Sequence, residues 1–174
     1  MQGVTHMAGG AAFAAVYTLA ALPGLSIGQE AAIIGVGALG GLIPDIDHPN
    51  SKISHKLKPV SAIVSLMFSH RGFFHTPILY LVLWVLWEGF CPGAEYLVYG
   101  RMLFLGIASH LVLDSLNPGG IPVFFPFSKK RRHIAKIKTG SKAELTCRFG
   151  LMLILGVAWG LYLGLDKIAL AIIP

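Results

Sequence analysis

Charge is what this chain has least of. Lys, Arg, Asp and Glu make up 13% of its 174 residues, against 55% hydrophobic residues and a mean hydropathy of +0.70. A soluble domain of this length carries roughly a quarter of its residues as charges to solvate its surface. That class is therefore excluded, and an all-α integral membrane protein is expected. Cysteine is scarce too: Cys91 and Cys147 are far apart and outside any C-x-x-C pair, which excludes a thiolate zinc site and a disulfide framework. The opening residues Met1-Gln2-Gly3-Val4-Thr5-His6 lack the basic stretch of a secretory signal, and no small-residue cleavage site is seen after the first apolar segment. That segment is expected to be a retained helix. Internal repeats and low-complexity tracts are also missing, and the chain, 1–174, reads as a single membrane-embedded domain.

What is present is a set of five apolar segments, near 7–22, 31–43, 77–90, 97–116 and 145–165. Each of the first four ends at a breaker: Pro23-Gly24, Pro44, Pro92-Gly93 and Pro118-Gly119-Gly120 in turn. About five transmembrane helices are predicted, the first three shorter than the ~20 residues that cross hydrocarbon comfortably. The second is rich in glycine (Gly35, Gly37, Gly40, Gly41), which lets membrane helices approach closely and predicts a place at the centre of the bundle. Residues 51–68 begin polar and basic and turn apolar over a run too short to span, so an interfacial or re-entrant helix is expected there.

Threading five crossings from His6 puts the start of helix 1, the end of helix 2, the start of helix 3 and the end of helix 4 on one face. Of the 14 Lys and Arg residues, all but Arg101 and Lys167 map to that face. By the positive-inside rule it is cytoplasmic. The run Lys129-Lys130-Arg131-Arg132 reads as a solvated loop that sets orientation, with attraction of anionic lipid as the active alternative. Nucleic acid is not expected as a partner, because no recognition fold or aromatic interleaving accompanies the charge.

The same face collects the side chains able to bind a metal: His6; Asp45, Asp47 and His48; His70 and His75; His110 and Asp114. His110 and Asp114 stand four apart on a predicted helix and leave it on one side. Asp45 and Asp47 flank Ile46 just after Pro44, in a turn expected to be extended, where alternate side chains point alike. His70-Arg71-Gly72-Phe73-Phe74-His75 brackets a glycine with two imidazoles, and Thr76-Pro77 is a natural helix start. Each cluster alone is compatible with capping or a satisfied polar helix end. Their joint placement on one face favours a shared site.

Imidazole and carboxylate donors suit divalent zinc first, with manganese or iron as alternatives, and bridging carboxylates permit one to three ions. Such a centre activates water at neutral pH and neutralises a phosphate ester during displacement. Asp45, His70, His75, His110 and Asp114 are the expected principal ligands. His6, Asp47 and His48 are further ligands or groups that orient them. Arg71, Asp47 and Asn117 are the candidates for acting on substrate: Arg71 as a fork for phosphate, Asn117 as a donor to a substrate oxygen or as a turn cap. His55 and His133 are left outside the set.

At these residues the sequence resembles a known family. Thr5-His6, Pro44-Asp45-Ile46-Asp47-His48-Pro49, Ser69-His70-Arg71-Gly72-Phe73-Phe74-His75-Thr76 and Ser109 through Gly120 are similar to the YdjM-type, LexA-regulated, membrane-bound metal-dependent hydrolases of bacteria. The resemblance implies a multi-pass, multi-helix hydrolase of the bacterial inner membrane. More distantly, the Thr-His start and the His-x-x-x-Asp helix resemble the zinc-dependent phospholipase C and P1-nuclease superfamily, from which this chain departs in lacking an N-terminal tryptophan and in being membrane-embedded. The expected activity is metal-dependent hydrolysis of a phosphoester on a membrane lipid at the cytoplasmic leaflet. A metal transporter, or a structural or regulatory membrane protein without hydrolytic activity, is the alternative; ligands gathered at one face, with no repeat, favour the enzyme over the transporter.

Overall fold

In the computed structural model, residues 1–47, 73–91 and 93–164 are described, Asp47 by its backbone alone. His48, His70, Arg71 and the helix expected over 51–68 lie outside the described residues. Among the described residues five α-helices occupy the five expected segments: α1 (Gly3–Ala21), α2 (Ile27–Gly40), α3 (Pro77–Phe90), α4 (Ala94–Ser115) and α5 (Lys142–Tyr162). Among the described residues no strand forms beyond one isolated bridge, Ile121 with Arg132. Helices α1, α4 and α5 are long and apolar enough to cross a membrane. Helices α2 and α3 have 14 residues each, a rise of roughly 21 Å, which falls short of the ~30 Å hydrocarbon core.

Local sequence sets the helix starts. Ser26 and Gln29 form a reciprocal capping box at α2, satisfying two of the amides that a helix start leaves bare. Thr76 precedes Pro77 at the first position of α3, where the missing proline N–H costs nothing. Ser141 caps α5 by accepting from the Glu144 amide.

The centre is shared by α1 and α4, each packed on three other helices, and the expectation that α2 sits there is corrected, since α2 packs on two. Helix α1 packs on α2, α4 and α5, and α4 in turn packs on α1, α2 and α3. The reason lies in side-chain size, because α1 buries Gly9, Gly10, Ala11, Ala12, Ala14 and Ala15, whereas α2 turns Gly28 and Gly35 toward open space. The remaining α2 glycines do bring backbones together. A Cβ on Gly10 would collide with the Gly37 carbonyl, and one on Gly106 of α4 would collide with the same oxygen. Three helices therefore meet around one peptide group, the small-residue packing that replaces hydrophobic drive inside lipid.

Past α4 the chain folds back across the helix ends. The Ile134 amide donates to the Ser115 carbonyl at 2.7 Å and the Ile137 amide to the Leu116 carbonyl at 2.9 Å. Gly120 turns this corner at φ 57°, with the Arg132 carbonyl against its α-carbon, a conformation and an approach that a side chain would obstruct. The basic run Lys129 to Arg132 is exposed on this loop.

Candidate metal centre

The ligand residues converge from four pieces of chain. His6 lies in the first turns of α1, Asp45 in a 3-10 turn (Ile43–Asp47) after α2, His75 in a 3-10 turn (Phe73–His75) before α3, and His110 and Asp114 near the end of α4. The extended turn expected around Asp45 is corrected: the chain keeps winding beyond α2, with the Leu42 amide on the Leu39 carbonyl and the Asp45 amide on the Leu42 carbonyl. Pro44 tolerates this because its fixed φ suits a helical turn. A 3-10 turn repeats every three residues, so the alternation expected of an extended chain does not apply here.

His6, His75 and His110 are fully buried, Asp114 is 1% exposed, and the Asp45 side chain keeps 18% of its surface open. His110 Nδ1 lies 2.8 Å from the Gly41 carbonyl oxygen. A carbonyl only accepts, so Nδ1 carries the proton and Nε2 of the neutral ring presents a lone pair. That lone pair points into a group of like atoms: His75 Nε2 at 3.4 Å, Asp114 Oδ2 at 3.7 Å and Asp45 Oδ1 at 3.8 Å. His75 Nε2 is itself 3.6 Å from Asp45 Oδ1 and from Asp114 Oδ2. His6 stacks on His110 with ring centroids 3.7 Å apart and sets Nε2 3.3 Å from Asp114 Oδ1, while its Nδ1 has no hydrogen-bond partner among the described residues. The Met1 ammonium donates to Asp114 Oδ1 at 2.6 Å. Burial pushes the Asp45 carboxyl up, but its interaction with His75 and the nearby His110 and His6 rings outweigh this and leave its pKa below the ordinary carboxylate value.

These separations test whether a metal fits. Imidazole–carboxylate pairs at 3.6 to 3.8 Å are too long for direct hydrogen bonds. Donors about 2.0–2.1 Å from a tetrahedral zinc stand about 3.3 Å from one another, close to what is observed. The donor atoms are thus arranged around common points more than on each other. Two sets meet the condition, His6 with Asp45 and His110, and His75 with His110 and Asp114, each with donor atoms within 4.8 Å of one another. His110 belongs to both, and the residues present fit a divalent cation in number, chemistry and burial.

Two residues that sequence reasoning did not select support the centre. Glu144, buried at the start of α5, accepts from the Gln2 amide at 2.5 Å, the Gly140 amide at 2.6 Å and the Thr5 hydroxyl at 2.9 Å. It ties the first turn of α1, and with it His6, to α5. Its sequence signal was the Ser141-x-x-Glu144 spacing of a helix start. Gly41 fixes the His110 tautomer through its carbonyl, and a backbone acceptor leaves no signal in a side-chain motif. Asn117, offered as a donor to substrate, has its amide nitrogen on Thr139 Oγ1 at 2.9 Å and its oxygen accepting from the Gly119 amide at 3.0 Å. In this structure those atoms close the turn after α4.

A bundle of apolar helices carrying a buried His–Asp cluster where their ends meet defines a helical membrane protein with a candidate metal centre. The chain belongs to the YdjM inner membrane protein family, whose model matches residues 1–173. It is 36% identical over 155 residues to uncharacterized protein YvsG of Bacillus subtilis (strain 168), covering 88% of this chain and 91% of that relative. Inner membrane protein YdjM of Escherichia coli (strain K12) is 34% identical over 109 residues, covering 60% of this chain and 54% of that protein, and YdjM of Shigella flexneri matches equally. No solved structure matches the chain. The YdjM names state a membrane location, and none of these names states an activity.

Proposed function

We propose that this protein is a metal-dependent hydrolase that cleaves a phosphoester of a membrane lipid from the cytoplasmic side. The observation that carries the reading is the group of Nε2 and carboxylate oxygen atoms 3.3 to 3.8 Å apart, with the His110 tautomer set by Gly41. His6, Asp45, His75, His110 and Asp114 would hold the cation. When bound, it would supply a Lewis acid that lowers the pKa of water and offsets charge developing on phosphate. The protein's own share is to keep the imidazoles neutral and oriented, through the Gly41 carbonyl and the His6–His110 stack, and to exclude bulk water from all but the Asp45 edge. Arg71, next to His70 in sequence, is proposed to hold the phosphate by its planar fork. The cytoplasmic orientation rests on the Lys and Arg distribution.

A structural role is the competing reading, favoured by the near-complete burial of His6, His75, His110 and Asp114, since closed sites are typical of structural metals. Metal analysis of purified protein, followed by a screen of phospholipids, isoprenoid phosphates and soluble phosphoesters, tests the proposal. We expect bound divalent metal and a turnover abolished by chelation. Metal-replete, folded protein in lipid with no turnover in any class would leave the structural reading in its place.

A further inference from the structure

Outside the centre, two cavities lie along α3 and α4. One of about 580 Å³ is lined by Tyr17, Trp84, Glu88, Arg101, Leu105 and their neighbours. The other, about 300 Å³, is lined by Pro77, Ile78, Tyr80, Leu81 and Leu111 among others. Trp84, Phe104 and Ala108 line both, so the two are lobes of one cleft. Its near end abuts the centre, because Pro77 follows His75 and Thr76, and Leu111 follows His110. Tyr80 holds that end in register by donating its hydroxyl to the Phe74 carbonyl at 2.8 Å. At the far end Arg101 grips Glu88 through two bonds of 2.7 and 2.8 Å, and the Trp84 indole donates to Glu88 at 3.0 Å. Gly100 lets the Trp87 indole lie against the α4 backbone, closing α3 onto α4 beyond the cleft.

The wall between these ends is hydrocarbon and aromatic, and both ends are polar. From Pro77 to Glu88 the cleft runs along 12 helical residues, roughly 16 Å at a rise of 1.5 Å per step, about half the ~30 Å hydrocarbon core. That is about the reach of one acyl chain, since two chains end to end make up the hydrocarbon core. A cleft that is apolar over the length of one chain and ends at a candidate cation site is complementary to an anionic lipid: its chain matches the wall and its charged head matches the cation site. We propose that the α3–α4 cleft holds one acyl chain of a phospholipid whose phosphate end lies at the His–Asp centre. This deepens, and rests on, the hydrolase reading above. Ala108 sets the usable depth, since it is exposed and stands where the two lobes join.

The test uses the full chain in phosphatidylethanolamine–phosphatidylglycerol nanodiscs doped with phosphatidic acid. The probe lipid carries a photoactivatable diazirine either on the terminal carbon of one acyl chain or beside its ester. Mass spectrometry of the adducts should place the terminal label at Tyr17 and Leu105 and the ester-side label at Pro77, Ile78 and Leu111. Ala108→Trp should lose the far-lobe adduct, while Phe149→Trp, on the exposed face of α5, should keep it. Adducts of both probes spread evenly over α5 and α3–α4 would overturn the proposal, as would an unchanged far-lobe adduct in Ala108→Trp. Should that variant fail to fold, the adduct map of the unaltered chain decides alone. The readout needs no turnover, so the two readings fail separately. Adducts as expected without hydrolysis leave the cleft and remove the enzyme; hydrolysis with adducts spread evenly removes the cleft alone.

Discussion

Replacing Glu144 with Ala should loosen the whole metal end of the bundle, although Glu144 is no metal ligand. The carboxylate is buried and accepts three hydrogen bonds, from the Gln2 amide, the Gly140 amide and the Thr5 hydroxyl. Hydrogen bonds to a charged group contribute about 1.5–3 kcal/mol each and are not additive. Water can reach the bundle end and satisfy part of what is left bare, so the expected loss is about 3–5 kcal/mol, the range seen when one side of a buried charged contact is removed. Glu144→Gln should fall between. Its remaining oxygen can serve Gln2 and Thr5, but its amide nitrogen meets the Gly140 amide donor to donor, at a cost of about 1–3 kcal/mol. Denaturant titration in mixed micelles reads both variants. Because Thr5 adjoins His6, metal affinity should also fall, by roughly 10–100-fold, as when a group that orients a ligand is removed. An alanine variant within about 1 kcal/mol of the original chain, with unaltered affinity, would refute the claim that this carboxylate positions α1.

Four further outcomes are expected. Gly10→Ala should destabilise by about 1–3 kcal/mol, because its Cβ runs into the Gly37 carbonyl, while Gly35→Ala, with open space around it, should not; the same titration compares them. His110→Ala and Asp114→Ala should lower bound metal measured by elemental analysis, whereas His133→Ala, exposed on the loop, should leave it unchanged. Cysteine labelling from either side of the membrane should place Lys130 in the cytoplasm and Gly24 opposite it, and labelling of both from one side would undo the topology. Arg71→Ala should keep metal and stability but lose hydrolysis, with Arg71→Lys recovering part of it because the bidentate fork is gone; unchanged turnover in Arg71→Ala would remove Arg71 from the site.

The helices were legible because apolar runs and breakers are read directly from composition, and all five appear where those signals put them. Their arrangement was less so. Glycine content pointed to α2 as the centre, and Gly37, Gly40 and Gly41 do meet other backbones, but Gly28 and Gly35 meet none and α2 packs on only two helices. At the site, the His110–Asp114 pair was readable from helical spacing, because i and i+4 share a face whatever surrounds them. Asp45 was found for a reason that did not hold, since its turn is 3-10 and not extended. Glu144 was missed because it comes from the fifth helix and acts on backbone amides, a contact that depends on which helix ends are neighbours. His48, His70 and Arg71 lie outside the described residues, and their roles stand on sequence alone.

Stability alone is a poor judge between enzyme and staple. Inside lipid the helices gain little from apolar burial against one another, so association leans on close backbone contacts and polar links. Here close contacts lie at Gly10, Gly37 and Gly106, and polar links lie at both ends, Glu144 and the His–Asp cluster at one and the Arg101–Glu88 pair at the other. A cation that binds only the folded cluster raises stability by mass action whether or not it activates water. Metal-dependent melting is therefore common to both readings. What separates them is a group that the cation does not need but a phosphate does. Arg71 is proposed as such a group, being unable to ligate a metal, and the proposed lipid site in the α3–α4 cleft is another, since a staple has no use for a lipid chain. A centre whose turnover responds to Arg71 and to Ala108, while its metal content responds to neither, is doing chemistry on a lipid; a centre in which metal and stability respond only to His110, Asp114 and Glu144 is holding helix ends together.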